Sequence, residues 1–116
     1  MTSYRDLEVW RLGRRAVVIV YNLTKCLPPT EQFGLCSQMQ RAVVSIPSNI
    51  AEGYGRNNRK EFRHFLRIAA GSRAELETQI DLCLDLDFLS AAQVAPLVEL
   101  LDTLRRKLHN LYESLQ

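Results

Sequence analysis

Residues 90–116 read SAAQVAPLVELLDTLRRKLHNLYESLQ, and the leucines of this stretch decide the fold. Leu97, Leu101, Leu104, Leu108, Leu111 and Leu115 step by four and three, the spacing that returns a side chain to one face of an α-helix. A strand would alternate at two. The seam is narrow, so it must be covered by other helices rather than by a sheet. Ser90 followed by Gln93 is a capping box, which starts this helix and lets it run almost to the C-terminus.

The same period extends back through the chain. Phe62, Phe65, Leu66, Ala69, Leu76, Ile80, Cys83 and Leu84 form one face of a third helix, begun by an Asn58/Glu61 capping box and ending near Leu86. Cys36, Met39, Val43, Ile46 and Ile50 line a second helix. Thr30 is its expected cap, with Glu31 favourable beside the positive helix end, and Gly53 and Gly55 are expected to release it after Glu52. The first helix is expected from Ser3, with Asp6 completing its capping box, to about Cys26, where Pro28 and Pro29 stop it. Connections are short, which predicts a single all-α domain over residues 1–116: an antiparallel, up-down-up-down four-helix bundle.

Composition agrees. A chain of 116 residues is one domain by length, 47% of it apolar, with few glycines and prolines. Cys26, Cys36 and Cys83 are odd in number and lack metal-knuckle or redox spacing, which suits reduced thiols in the cytoplasm. The N-terminus has no apolar run of a signal peptide. The longest apolar stretch, Ala16 to Tyr21, is too short for a bilayer, so no membrane partner is expected.

Helix 1 carries more apolar surface than one bundle needs. Val9, Leu12, Ala16, Ile19, Val20, Leu23 and Leu27 suffice to join the core, yet Leu7, Trp10, Val17, Val18 and Tyr21 lie opposite. An apolar patch of that size marks a contact. A subunit interface is the expectation; a wider core, or cover by the N-terminal residues, is the alternative.

On helix 2, Gln38, Arg41, Ser45, Ser48, Asn49 and Glu52 share a polar face, solvated or hydrogen-bonded to a neighbour. Arg41 is placed to reach Glu52 or a carboxylate across the bundle. Pro47 leaves the Val43 carbonyl without its donor, which predicts a kink there and a substitute bond from Ser45, Ser48 or Asn49.

Helix 3 is basic first and acidic later. Arg56, Arg59, Lys60, Arg63 and Arg67 occupy one side near its start, and Glu77, Asp81 and Asp85 follow on that side. The order opposes the helix dipole, at about 0.3–1 kcal/mol for each exposed charge in a terminal turn. Three readings fit: an ordinary solvated face, a head-to-tail contact with another protomer, or a seat for the phosphates of RNA or DNA. The net charge of +2 permits the last without requiring it. Tyr54 stands beside the patch as a candidate stacking residue.

Little in the sequence points to catalysis. His64 and His109 have no partner at metal-ligand spacing, there is no Glu-x-x-His motif for a bundle metal site, and Gly53-x-Gly55 lacks the rest of a dinucleotide fingerprint. Glu75/Glu77 and Asp85/Asp87, spaced by two, point to different sides of a helix. No enzyme activity, catalytic residue, metal or cofactor is expected.

The run from Gln38 to Arg56, QMQRAVVSIPSNIAEGYGR, resembles the signature of a bacterial four-helix bundle family encoded by intervening sequences in large-subunit ribosomal RNA genes. A second block, EFRHFLRIAAGSRAELE over residues 61–77, and the opening YRDLEVW over 4–10 are similar too. The resemblance implies homopentameric rings. It also implies kinship with the accessory protein of diversity-generating retroelements, which binds a reverse transcriptase and engages nucleic acid. Arg41, Ser45, Asn49, Glu52, Gly53, Gly71, Ser72 and Glu75 fall on its motif positions, where packing and assembly roles are implied. Gly71 and Ser72, small and mid-helix, are expected at a close helix approach. The combined expectation is a self-assembling bundle whose further partner is RNA, DNA, a nucleic-acid enzyme or another protein.

Overall fold

The computed structural model describes residues 3–116. Its helices are α1 (Glu8–Thr24), α2 (Leu35–Gly55), α3 (Arg59–Asp85) and α4 (Ala91–Ser114), with single 3-10 turns at Tyr4–Asp6 and Pro29–Glu31 and no strand among the described residues. Each helix packs on its neighbours in sequence and α4 closes against α1, while α1 and α3, like α2 and α4, lie across the diagonal. This is the up-down-up-down bundle. It measures 43 × 24 × 20 Å; the 27 residues of α3 rise about 40 Å and so run its full length.

The leucine seam of α4 is the core's spine. Leu97, Leu101, Leu104 and Leu108 are buried, and Leu111 and Leu115, near the open end, are half-buried. Val9, Leu12, Ala16 and Val20 meet them from α1, Met39, Val43, Ile46 and Ile50 from α2, and Leu66, Ala69, Leu76, Ile80 and Cys83 from α3. Two polar residues are buried with them. Thr24 donates to the Tyr21 carbonyl and accepts from Gln40 Nε2, both at 3.1 Å, whereas Gln79 Oε1 has no partner.

The helix ends match the sequence at α3 and α4 and depart from it at α1 and α2. Asn58 Oδ1 accepts from the Glu61 N–H at 2.9 Å. Ser90 and Gln93 form the reciprocal capping box. The Ser3/Asp6 box also forms, but it caps only the Tyr4–Asp6 turn, because Leu7 adopts extended backbone (φ −75°, ψ 126°) before α1 begins. That break turns Leu7 inward, where it is 5% exposed. Leu7 therefore belongs to the core and is not part of an intersubunit face. Thr30 does not cap α2: it lies in the Pro29–Glu31 turn, and the helix starts four residues later, with Glu31 Oε1 accepting from the Leu35 N–H at 3.2 Å.

The exit of α2 is a further correction. Gly53 and Gly55 remain helical, and the left-handed turn falls on Asn57 (φ 52°). Asp87 (φ 59°) does the same for α3, where Phe88 N–H returns to the Cys83 carbonyl and Asp87 N–H to the Leu84 carbonyl in a Schellman motif. Gly53 is needed instead for clearance: a Cβ there would lie 2.6 Å from Phe65 Cβ and 3.1 Å from Phe62 Cδ1. Gly71 behaves oppositely. Nothing lies within 4 Å of a Cβ added to it, so within the subunit it is not at the close helix approach expected from its size.

These two glycines should respond to alanine with opposite signs. Gly53→Ala should destabilise by about 1–3 kcal/mol, since the clash is with a Cβ that moves only with its backbone. Gly71→Ala should stabilise by up to about 1 kcal/mol through helix propensity. Urea denaturation measures both; equal shifts would show that the α2–α3 spacing adapts freely.

Candidate nucleic-acid interface

Asn58 starts α3 so that Arg59 and Lys60 occupy its first turn, exposed, with no carboxylate within ion-pair distance among the described residues. Arg56, just before the cap, is engaged locally. It pairs with Glu52 at 2.8 Å and Glu61 at 3.8 Å and lies 5.1 Å over the Phe65 ring. The Glu52 hydrogen bond holds its guanidinium above the usual arginine range. Arg56 thus braces the α2–α3 turn, and the cations left unpaired by acids are Arg59, Lys60, Arg63 and Arg67.

Arg63 and Arg67 meet a residue the sequence reading missed. Tyr112 of α4 lies under the Arg63 guanidinium, 4.2 Å from ring centroid to Cζ, and its hydroxyl accepts from Arg67 Nη1 at 3.1 Å. Arg63 Nε is buried without a hydrogen-bond partner. Tyr54 does not join this group; it packs edge-on against Phe62, with centroids 6.0 Å apart. Beside Tyr112 a cleft of about 340 Å³ opens between α3 and α4, floored by Leu66, Ala70 and Leu108 and rimmed by Arg67, Arg105, His109 and Tyr112. Arg105, His109 and Tyr112 are spaced by four and three, so their shared face was readable; that this face meets α3 was not.

The basic-then-acidic order of α3 persists in three dimensions. Arg73 pairs with Glu77 at 2.8 Å, but Glu75, Asp81 and Asp85 make no ion pair among the described residues. On α4, Arg105 and Arg106 both reach Asp102, whose carboxyl they hold below its ordinary range, chiefly through the Arg105 hydrogen bond.

A second site gathers the motif positions of α2 and α3. Ser45 Oγ and Ser72 Oγ are 2.8 Å apart, and Asn49 Nδ2 donates to Ser45 Oγ at 2.8 Å and to the Ser45 carbonyl at 2.7 Å. Asn49 therefore serves the carbonyl of Ser45, rather than that of Val43, beside Pro47, which packs near Gly13 of α1. Gln38, Arg41 and Glu75 line the same groove. Arg41 reaches neither Glu52, which Arg56 occupies, nor another carboxylate among the described residues.

The apolar far side of α1 divides. Trp10 and Val17 are half-buried against the core, and Tyr4 covers Trp10 edge-on with ring centroids 5.3 Å apart. Val18 and Tyr21 stay open, 60% and 42% exposed.

Among the described residues no group of three or more His, Cys, Asp or Glu side chains is arranged to hold a metal ion. Burial pushes the Cys83 and Cys36 thiols up, away from the thiolate form a nucleophile needs. Among the described residues no helix is long and apolar enough to cross a membrane.

A family model described as 23S rRNA-intervening sequence protein matches residues 5–110. Among solved structures, the chain is similar to a protein of unknown function from the S23 ribosomal protein family of Bacteroides thetaiotaomicron, with a TM-score of 0.82 and 23% identity. The match covers 90% of this chain and 97% of that one, and at this identity it speaks for the fold alone. A comparison with curated proteins returns no match.

The Ser45–Ser72 bond joins α2 to α3 in a partly buried setting, so a double-mutant cycle on Ser45→Ala and Ser72→Ala should give a coupling of about 0.5–1.5 kcal/mol in urea denaturation. Strict additivity would mean that the bond contributes nothing to holding the helices together.

Proposed function

The chain belongs to the 23S rRNA-intervening sequence protein family, and we propose that it is a non-enzymatic, self-assembling bundle that seats nucleic-acid phosphates, RNA foremost, on the first half of α3. The observation that carries this reading is the row Arg59, Lys60, Arg63 and Arg67, four cations along a little over two turns of helix with no acidic partner among the described residues. Surface arginines and lysines ordinarily scatter among carboxylates, as Arg105 and Arg106 do around Asp102. Tyr112 adds to the case. By holding Arg63 and Arg67 in place it lowers the side-chain ordering that a phosphate contact would otherwise require. Phosphate contacts of this kind position a nucleic acid without reading its sequence.

Self-assembly rests on a different surface. Tyr21 of α1 and Val44 of α2, itself 39% exposed, line a furrow of about 440 Å³ together with Arg41, and Val18 stands exposed on α1 three residues before Tyr21. Exposed apolar side chains next to an unpaired guanidinium suit an interface with an apolar centre and a polar rim. The ring of five implied by the resemblance closes through heterologous contacts of this type. A cytoplasmic setting fits the free cysteines.

A second reading, an oligomeric scaffold without nucleic acid, is favoured by the unpaired acids of α3. Asp81 and Asp85, on the same side of α3 as its basic row, would face the basic row of a neighbouring copy.

Fluorescence anisotropy with a labelled RNA, titrated with salt, separates the two. Four phosphate contacts on a single strand predict a slope of log K against log salt of about −3, and Arg59→Glu with Lys60→Glu should halve it and weaken binding. If the pair instead dissociates the oligomer, or RNA binding is absent at low salt, the phosphate reading fails. For assembly, Val18→Glu with Tyr21→Glu should convert the oligomer into a folded monomer in size-exclusion chromatography with light scattering. A wild-type protein that runs as a monomer at micromolar concentration would overturn it.

A further inference from the structure

The cleft between α3 and α4 adjoins the cation row but differs from it in kind. Leu66 and Leu108 of its floor are buried and Ala70 is half-buried, while Arg67, Arg105, His109 and Tyr112 stand around the mouth. A phosphate chain has no use for an apolar floor, since cations on a convex helix already serve it. An apolar floor beneath a cationic rim suits a flat, weakly hydrated group attached to an anion. In nucleic acid that combination is an unpaired base with its phosphate. Bases within a duplex stay stacked and show only their edges in the grooves.

We propose that this cleft takes one unpaired nucleotide of a single strand, with its base on Leu66, Ala70 and Leu108 and its phosphate on Arg67 and Arg105. The assignment rests on the phosphate-seating reading of α3 and narrows it to single-stranded nucleic acid. The volume, about 340 Å³, lies within the range of small organic ligand sites. Arg67 is already held at the mouth by its bond to Tyr112 Oη, so the anion meets a positioned donor. Arg105 uses one edge on Asp102 at 2.8 Å and keeps further N–H donors for a ligand. Glu113, also at the mouth, can only accept; it faces the N–H groups of a base and turns the phosphate towards the arginines. From Arg67 the strand continues to Arg63 and then to the adjacent Lys60 and Arg59, in steps of about one helical turn.

The test compares three probes by fluorescence anisotropy on the full chain: a single-stranded RNA 12-mer, the same sequence as a duplex, and a 12-mer of abasic residues. The base-bearing single strand should bind about tenfold more tightly than either of the others, the scale of one stacked base. Ala70→Met, which fills the floor and leaves every charge in place, should remove that advantage and leave duplex and abasic binding unchanged. The abasic comparison on the unaltered protein decides the matter even if the variant folds poorly. Equal affinity for all three probes, still weakened by Arg59→Glu with Lys60→Glu, would overturn the cleft assignment while the phosphate reading stands. A nucleoside 5′-monophosphate binding as tightly as the 12-mer would overturn it too. Failure of every probe to bind would remove both.

Discussion

The bundle depends on how closely α2 can lie on α3. Three contacts set that approach at three heights. Gly53 clears the Phe62 ring and the Phe65 Cβ at one end, Ser45 bonds Ser72 at 2.8 Å in the middle, and Met39 Sδ stands 3.7 Å from Cys83 Sγ near the other. Positions descend along α2 as they ascend along α3, so the three together hold an antiparallel register. Aliphatic packing alone specifies register weakly, because hydrophobic residues of suitable size substitute for one another. A missing side chain and a paired hydroxyl do not recur every turn, and a single polar contact can pin a register that apolar contacts leave loose. The Arg56–Glu52–Glu61 group then closes the short turn between the same two helices.

On this frame α3 carries charges in an order that its own dipole opposes. The penalty falls mainly on Arg59 and Lys60 in the first turn, and the Asn58 cap offsets part of it by satisfying the Glu61 N–H. Farther along, Arg63 and Arg67 lie beyond the first turn and rest on Tyr112, whose ring and hydroxyl offset part of the lost hydration, although Arg63 Nε stays without a partner. The row thus divides: Arg59 and Lys60 are placed against the local preference and are free of contacts with α4 among the described residues, whereas Arg63 and Arg67 are fixed on Tyr112.

The far side of α1 shows where a helical wheel misleads. Summing Leu7, Trp10, Val17, Val18 and Tyr21 on one face presumes an unbroken helix from Ser3. The extended Leu7 ends that presumption: its side chain enters the core, and the preceding turn brings Tyr4 over Trp10. Only Val18 and Tyr21 remain strongly exposed. Similar local logic misplaced the start and end of α2. Thr30 has the right chemistry for a cap and Gly55 for a stop, yet the carboxylate of Glu31 and the left-handed Asn57 take those roles. Caps are short-range choices between near-equal candidates, and the candidate that lets the flanking helices pack is the one used.

The sequence by itself determined the number of helices, the core faces of α2, α3 and α4 and the antiparallel order, because the leucine and aliphatic periods are long, and short connections leave no other arrangement. It also made the split of charge along α3 plain, since that split lies within one helix. The pairing of faces between helices was decided only in three dimensions. The spacing of Arg105, His109 and Tyr112 puts them on one face of α4 without saying what that face meets, and the sequence predicts Gly53 at the end of α2 and Gly71 at a close helix approach. Which stripe meets α3, and which glycine lies under a phenylalanine, depends on rotations about helix axes. Those rotations are set jointly by all the side chains that fill the core.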